Sequence, residues 1–433
     1  MLFVQFAIVL LAILVGARIG GIGLGAMGGV GLAIMTFIFN LEPTSPPINV
    51  MLMIVAVVTA ASTLQAAGGM DYLVKLAERA LRKKPDLITF MAPVITYTFT
   101  FFAGTGHVAY SLLPVISEVS HEQKVRPERP LSIAVIASQQ AIVASPISAA
   151  TVALVGILSP HGFTLPNILS VTIPATLIAI LFTAFMIRKK GPELEDDPEY
   201  QKRLQEGIKP LSKDDTETEI TSSAKLSVGL FLLAAVAVVF FGTFEGLRPA
   251  FDGEPMSMPH TIQIIMLTVA ALHLLVCKAE VDVAANGSVF RAGFVAVVAI
   301  FGIAWLGDTF FEAHMDVIEP AVEGMVTTAP WVFAFALFIM SILLNSQAAT
   351  TTTLMPLGLA LGINPAFLIA MFPAVNGYFF LPNYGPIIAA IGFDRTGTTK
   401  IGKFVFNHSF MIPGLLTIVG SLVLGFLLSS IIL

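Results

Sequence analysis

The sequence predicts an all-α polytopic membrane protein of two inverted repeats, each with five transmembrane helices, one of them broken, plus one re-entrant hairpin. Three observations carry that expectation. The 433 residues are 56% hydrophobic and 12% charged, with a mean hydropathy of +0.87, whereas soluble domains carry about 25% charged residues. Apolar runs long enough to cross about 30 Å of hydrocarbon recur along the chain, without the weak alternation of outer-membrane barrels. Polar interruptions recur at corresponding places in the two halves. The single Cys277 excludes a disulfide framework and a cysteine-rich metal site.

Residues 1–17 and 22–39 read as two apolar helices joined at Arg18. The first has neither a charged n-region nor a small-residue cleavage site, so it is expected as a retained helix rather than a signal peptide. Gly23-x-Gly25-x-x-Gly28 matches a dinucleotide fingerprint by letter, but no strand precedes it, and small residues at this density let membrane helices pack closely. A Pro-rich turn over 43–47 leads into a span at 48–69. This helix is expected to continue into 71–84, where Lys75, Arg79, Arg82, Lys83 and Lys84 form a topology signal.

Residues 91–119 are too interrupted to cross as one helix but long enough to enter and return, so they predict a re-entrant hairpin. A broken span at 131–158 crosses, and 165–187 returns. Residues 188–225, charged in both signs and poor in apolar side chains, read as a flexible cytoplasmic linker with a short surface helix. Spans at 226–247, 261–277 and 289–307, a hairpin at 331–361, a broken span at 366–391 and a last span at 404–432 repeat the order. The repeats are thus 1–187 and 226–433. An odd number of crossings per half sets the second upside down relative to the first. On this scheme 22 of the 23 Lys and Arg residues are cytoplasmic, Arg248 lies outside, and both termini are periplasmic.

Each half contains two interruptions. The first half has Gly104-Thr105-Gly106-His107 at the hairpin tip and Ala144-Ser145-Pro146-Ile147-Ser148 in the broken span. The second has Asn345-Ser346-Gln347-Ala348-Ala349-Thr350 and Leu381-Pro382-Asn383-Tyr384-Gly385-Pro386. A helix broken in hydrocarbon leaves N–H and C=O groups unpaired, so such breaks persist only where protein, a cavity or a ligand satisfies them. Paired interruptions of this kind point to the substrate site of a transporter.

The candidate binding residues are therefore Gly104, Thr105, Gly106, His107, Ser145, Pro146, Ser148, Asn345, Ser346, Gln347, Thr350, Pro382 and Asn383. Glycines let a ligand approach the main chain. Hydroxyls and amides offer donors and acceptors, and half-helix N-termini favour anions. A substrate with two carboxylates suits this arrangement, one end taken by each set of tips. The competing reading is that Pro and Gly merely kink helices while hydroxyls bond back to i−4 carbonyls. Four breaks in register across a duplication weigh against it.

No Lys or Arg lies deep in a span. Arg82 and Arg126, at span and hairpin ends, are candidates for admission or gating of an anion, against a purely topological role. Asp71 and Asp308, at matching span ends, are candidates for ion coupling and equally for capping. His107 is read as a neutral hydrogen-bond donor. No pair of histidines has metal-ligand spacing and no hydrolytic motif is present, so no metal, cofactor, enzymatic activity or nucleic-acid partner is expected.

Gly104-Thr105-Gly106-His107, Arg126-Pro127-Glu128-Arg129-Pro130, Ala144-Ser145-Pro146-Ile147-Ser148, Asn345-Ser346-Gln347-Ala348-Ala349 and Phe393-Asp394-Arg395-x-Gly397-Thr398-Thr399-x-Ile401-Gly402 with Phe406-Asn407-His408 resemble the anaerobic C4-dicarboxylate transporter (Dcu) family of bacterial inner membranes nearly end to end. His107 and Ala313-His314-Met315 look closer to its fumarate–succinate antiporter branch. The resemblance implies exchange of fumarate, malate or aspartate for succinate during fumarate respiration. It also implies a sensor histidine kinase partner that only some members have. More remotely the chain resembles the two-hairpin ion-transporter superfamily, often homodimeric. Proton- or sodium-coupled dicarboxylate uptake, or transport combined with co-sensing, stand as alternatives.

Overall fold

The computed structural model describes every residue except 20, 208–219, 252, 315, 318–328, 345, 383 and 403–405, and omits also the side chains of Ala17, His107, Ala292 and Ala296. The described residues form helices and one antiparallel pair of two-residue strands, β1 (Ala250–Phe251) and β2 (Glu254–Pro255).

The first half opens with α1 (Leu2–Ile19), α2 (Gly23–Ala33, prolonged by a π-turn to Ile38) and α3 (Ile48–Ala66). Gly68, at φ 78°, then turns the chain into a separate helix, α4 (Gly69–Lys83), instead of letting α3 run on. α4 buries Leu73, Ala77 and Leu81 on one face and carries its charges on the other, as a surface helix does. The hairpin is α5 (Ile88–Ala103) and α6 (Ala109–Glu122), wider at both ends than 91–119. α7 (Glu128–Ala144) and α8 (Ala149–Leu158) are the two pieces of the broken span, and α9 (Leu165–Ile187) returns.

After the linker helix α10 (Pro198–Gln205), the second half consists of α11 (Ser222–Thr243), α12 (Met258–Leu275), a short α13 (Val281–Asn286) and α14 (Ser288–Glu312). Then come α15 (Phe333–Leu344), α16 (Gln347–Ala360), α17 (Pro365–Met371, running on as a 3-10 turn to Phe379), α18 (Gly385–Phe393) and α19 (Met411–Ile432). The last helix starts later than 404. Before it, Ile401 bridges His408 and the Gly402 N–H donates to the Asn407 carbonyl at 2.7 Å, a local pairing that apolar content alone does not reveal.

Among the described residues, eight stretches are long and apolar enough to cross a membrane, the first arm of the hairpin (Pro85–Ala103) included. Large apolar side chains such as Phe3, Phe37, Leu233 and Leu275 are exposed, a surface suited to lipid. The glycine-rich α2 packs backbone to backbone on α14. A Cβ at Gly28 would stand 2.3 Å from the Gly302 carbonyl carbon, and one at Gly302 would stand 1.9 Å from the Gly25 carbonyl oxygen. The fingerprint-like glycines therefore serve close packing.

Packing partners recur between the halves. α3 lies on α12 as α14 lies on α2, α5 lies on α7 as α15 lies on the 372–379 turn, and α9 lies on α19.

The linker is less free than its composition suggests. Asp197 caps α10 and pairs with Arg126, whose guanidinium also meets Glu128 at 2.7 Å. Lys190 reaches Glu128 at 3.0 Å, and Arg129 pairs with Glu193 while donating to the carbonyls of Lys190 and Gly191. Residues 190–206 are thus pinned to the start of α7, while 208–219 lie outside the described residues.

Candidate functional site

The breaks hold themselves together before they can hold anything else. At the first, the Ser145 hydroxyl donates to the Phe101 carbonyl at 2.6 Å, and Ser148 and Thr151 both donate to the Ile142 carbonyl, at 2.6 and 3.1 Å. Ser148 also caps α8 by accepting from the Thr151 N–H. These hydroxyls replace the helical hydrogen bonds that the break removes, and both serines are fully buried. Gly104, at φ 66°, ends α5 and brings the hairpin tip against this break, where a Cβ would stand 2.9 Å from the Ile147 carbonyl oxygen.

At the third interruption, Ser346 caps α16 through the Ala349 N–H at 3.2 Å, and the Thr350 hydroxyl bonds back to the Ser346 carbonyl. The back-bonding reading thus holds for Thr350, while Ser346 caps the helix. Gln347 donates to the Asn376 side-chain oxygen at 3.1 Å and to the Tyr378 hydroxyl. Asn376 in turn donates to Gln140 of α7 at 3.2 Å, across the two halves.

The tips interlock between halves: a Cβ at Gly106 would meet the Tyr384 hydroxyl at 3.3 Å, and α16 packs on α8. They surround one cavity of about 550 Å³, within the range of small-molecule sites. The hairpin tip contributes Gly104, Thr105 and Gly106, and the start of α8 contributes Ala149 and Ala150. The second half contributes Ser346, Gln347 and Ala348 from the start of α16, and Tyr384 from the last break. The opposite wall comes from α3, α14 and the α1–α2 turn. Three of the interruptions therefore line one space themselves, and the Ala144–Ser148 break reaches it through its flanks at Ile142, Ala149 and Ala150.

Of the predicted residues, Gly104, Thr105, Gly106, Ser346 and Gln347 line this space, whereas Ser145, Pro146, Ser148, Thr350 and Pro382 do not. Asn345, Asn383 and the His107 side chain fall outside the described residues. Arg82 and Arg126 do not line it either. Arg82 sits among Glu78, Glu118 and Glu122, and Arg126 is 5% exposed between Glu128 and Asp197. Asp71 is exposed in the first turn of α4, and Asp308 is half-buried in α14, both away from the cavity lining.

Three residues escaped the sequence reading. Arg291, in the first turn of α14, is the one charged side chain among the described lining residues. Its guanidinium donates to the Asn286 carbonyl at 2.8 and 3.1 Å and stays exposed. In the sequence it reads as an ordinary flanking cation. Gln140 and Asn376 are the other two, and their signal is an amide standing inside an apolar run shortly before each break.

Chemically, the cavity offers helix-start N–H groups at Ala149, Ala150, Gln347 and Ala348, hydroxyls and one guanidinium. Those are donors matched to carboxylates. Among the described residues no cluster of His, Cys, Asp and Glu could hold a metal ion.

Broken membrane-crossing helices that converge on a small-molecule cavity define a polytopic membrane transporter. The fold is similar to that of the Alcanivorax borkumensis YdaH transporter, with a TM-score of 0.55 at 13% identity over 99% of this chain and 97% of that one. The chain belongs to the anaerobic C4-dicarboxylate membrane transporter family, whose model matches residues 1–433. It is 46% identical to the C4-dicarboxylate transporter DcuA of Escherichia coli K12, over 100% of both chains. It is 42% identical to the anaerobic C4-dicarboxylate transporter DcuB of Escherichia coli O6:H1, over 99% of both. It is accordingly a transporter and not an enzyme.

Proposed function

We propose that the protein is a secondary exchanger of C4-dicarboxylates in the bacterial inner membrane, taking up fumarate, malate or aspartate against succinate by alternating access. The observation that carries this reading is the meeting around one cavity of three interruptions and the flanks of the fourth, two elements from each half. One carboxylate is taken by the backbone donors of the first hairpin and α8, the other by the start of α16, and Arg291 attracts the dianion at the rim. Helix N-termini act as about half a positive charge each, so a dianion is held without a cation deep in hydrocarbon.

The halves are inverted repeats, with 188–225 cytoplasmic and both termini periplasmic. The reciprocal packing of α3 on α12 and α14 on α2 supports this arrangement. The cavity rim at Arg291 and Gly21 then faces the cytoplasm, which makes this an inward-open state. Homodimers and a sensor histidine kinase partner are expectations carried over from the resemblance.

Counterflow decides the matter. Vesicles preloaded with unlabelled succinate should accumulate labelled succinate rapidly, whereas empty vesicles should not. Equal uptake into empty vesicles under a proton or sodium gradient would favour ion-coupled uptake instead, with half-buried Asp308 as the first coupling residue to replace.

A further inference from the structure

Asn376 is 1% exposed, lines no part of the cavity, and yet decides which atom of Gln347 the cavity meets. Its side-chain nitrogen donates to the Pro373 carbonyl and to the Gln140 oxygen, both at 3.2 Å, while its oxygen accepts from the Gln347 nitrogen at 3.1 Å. A backbone carbonyl can only accept. Pro373 therefore fixes the Asn376 amide with its nitrogen toward α7 and its oxygen toward Gln347. Gln347 must answer with its nitrogen, and the second hydrogen of that nitrogen goes to the Tyr378 hydroxyl. Both donors of Gln347 are thereby consumed inside the protein, which leaves its oxygen for the cavity that Gln347 lines.

The other described polar side chains of the lining, Thr105, Arg291, Ser346 and Tyr384, all can donate. The Gln347 oxygen can only accept. Facing a carboxylate it would be repelled. Facing an N–H or O–H it forms a hydrogen bond, and it is the one acceptor-only side-chain group among the described polar lining, where the hydroxyls can turn either way.

We propose that Gln347 reads a hydrogen-bond donor beside the carboxylate held at the start of α16. That donor is the hydroxyl of a 2-hydroxy or the ammonium of a 2-amino C4-dicarboxylate. Asn376, with Gln140 behind it, is the positioning residue that keeps the acceptor turned inward. This rests on the exchange function proposed above. It adds a selectivity: substituted C4 diacids are preferred over the unsubstituted one through a single amide oxygen whose orientation is fixed by Asn376, itself held by the Pro373 carbonyl of the same half and by Gln140 of the other.

The test measures malate, aspartate and succinate as competitors of labelled succinate counterflow in vesicles containing the full chain. The readout is the ratio of apparent affinities, substituted over unsubstituted. Gln347→Met keeps length and removes the oxygen, and should lower that ratio about tenfold, the effect of one hydrogen bond to a charged or polar partner. Asn376→Leu should lower it severalfold by freeing the Gln347 amide to turn, a change that loss of packing alone would not produce. A drop for both malate and aspartate assigns the oxygen to either donor, and a drop for aspartate alone assigns it to the ammonium. An unchanged ratio in Gln347→Met overturns the proposal. If that variant does not reach the membrane, an unchanged ratio in Asn376→Leu does so. Absence of counterflow with every dicarboxylate in the unaltered protein would instead sink the exchange reading.

Discussion

At the scale of single residues, the hydroxyls at the breaks divide into two groups with different duties. Ser148 is fully buried, caps α8 and satisfies the Ile142 carbonyl. Ser148→Ala should therefore cost about 1–2 kcal/mol of stability, seen as a lower unfolding midpoint in detergent, with apparent substrate affinity little changed. Arg291 behaves in the opposite way. It is exposed, and among the described residues its guanidinium bonds only to the neighbouring backbone at Asn286, so Arg291→Gln should leave folding alone and weaken apparent dicarboxylate affinity about tenfold. The loss should shrink as salt rises, because exposed charge attraction is screened. An affinity loss independent of ionic strength would mean that Arg291 does not act by long-range attraction. Ser148 and Arg291 look alike to sequence reasoning, as polar residues near a break or a span end, and only their surroundings separate them.

At the scale of elements, two contacts set the architecture. The first is the α2–α14 crossing, where Gly25, Gly28 and Gly302 bring backbones together. Gly302→Ala places a methyl group against the Gly25 backbone and should destabilise by about 3 kcal/mol, the upper end for overpacking. Normal thermal stability in that variant would show that the helices can separate without loss. The second is the clamp of Arg126, Glu128 and Asp197 that pins 190–206. Burial pushes the Asp197 carboxyl up, but the Arg126 guanidinium and the N–H groups of Tyr200 and Glu199 outweigh it and hold the group below the usual carboxylate range. A depressed carboxylate contributes stability that is complete above its unfolded value of about 3.9 and lost as pH falls through the folded one. Hydrogen exchange of 190–206 should thus show constant protection from about pH 5 to about pH 8. Asp197→Asn should weaken that protection at neutral pH and make the segment more readily cleaved by trypsin after Lys202 or Arg203, because it removes one of the two carboxylates that neutralise buried Arg126 and the charge that caps α10. Acidic, basic and apolar counts for 188–225 gave no sign of this pinning, since the partners lie at the start of α7.

At the scale of the whole molecule, the proposed topology turns on charge: it places 22 of the 23 Lys and Arg residues on the cytoplasmic side. Reporters fused at either terminus should be active only outside the cytoplasm, and one inserted between 208 and 219 only inside it. A terminus found in the cytoplasm would overturn the inversion and with it the inward-open reading. The helical, membrane-spanning character of the chain and the places where its helices are interrupted were legible along the sequence, because hydropathy and helix interruption are properties of consecutive residues; the count of ten crossings belongs to the proposed topology, beside eight described stretches long and apolar enough to cross. Also legible was the place of Gly104–Gly106 and of the segment from Ser346 at helix ends that line the cavity, because glycine freedom and helix starts are local too. Which hydroxyls face a ligand was not legible. Ser145 and Ser148 turn inward to carbonyls at Phe101 and Ile142, and Ala149 and Ala150 line the cavity in their place. Arg291 joins the site only because α14 packs across from the hairpin tips, and Gln140 meets Asn376 only because the halves close on each other. Side-chain direction and contacts between residues more than 200 positions apart arise from packing, and no pattern of neighbours along the chain encodes them.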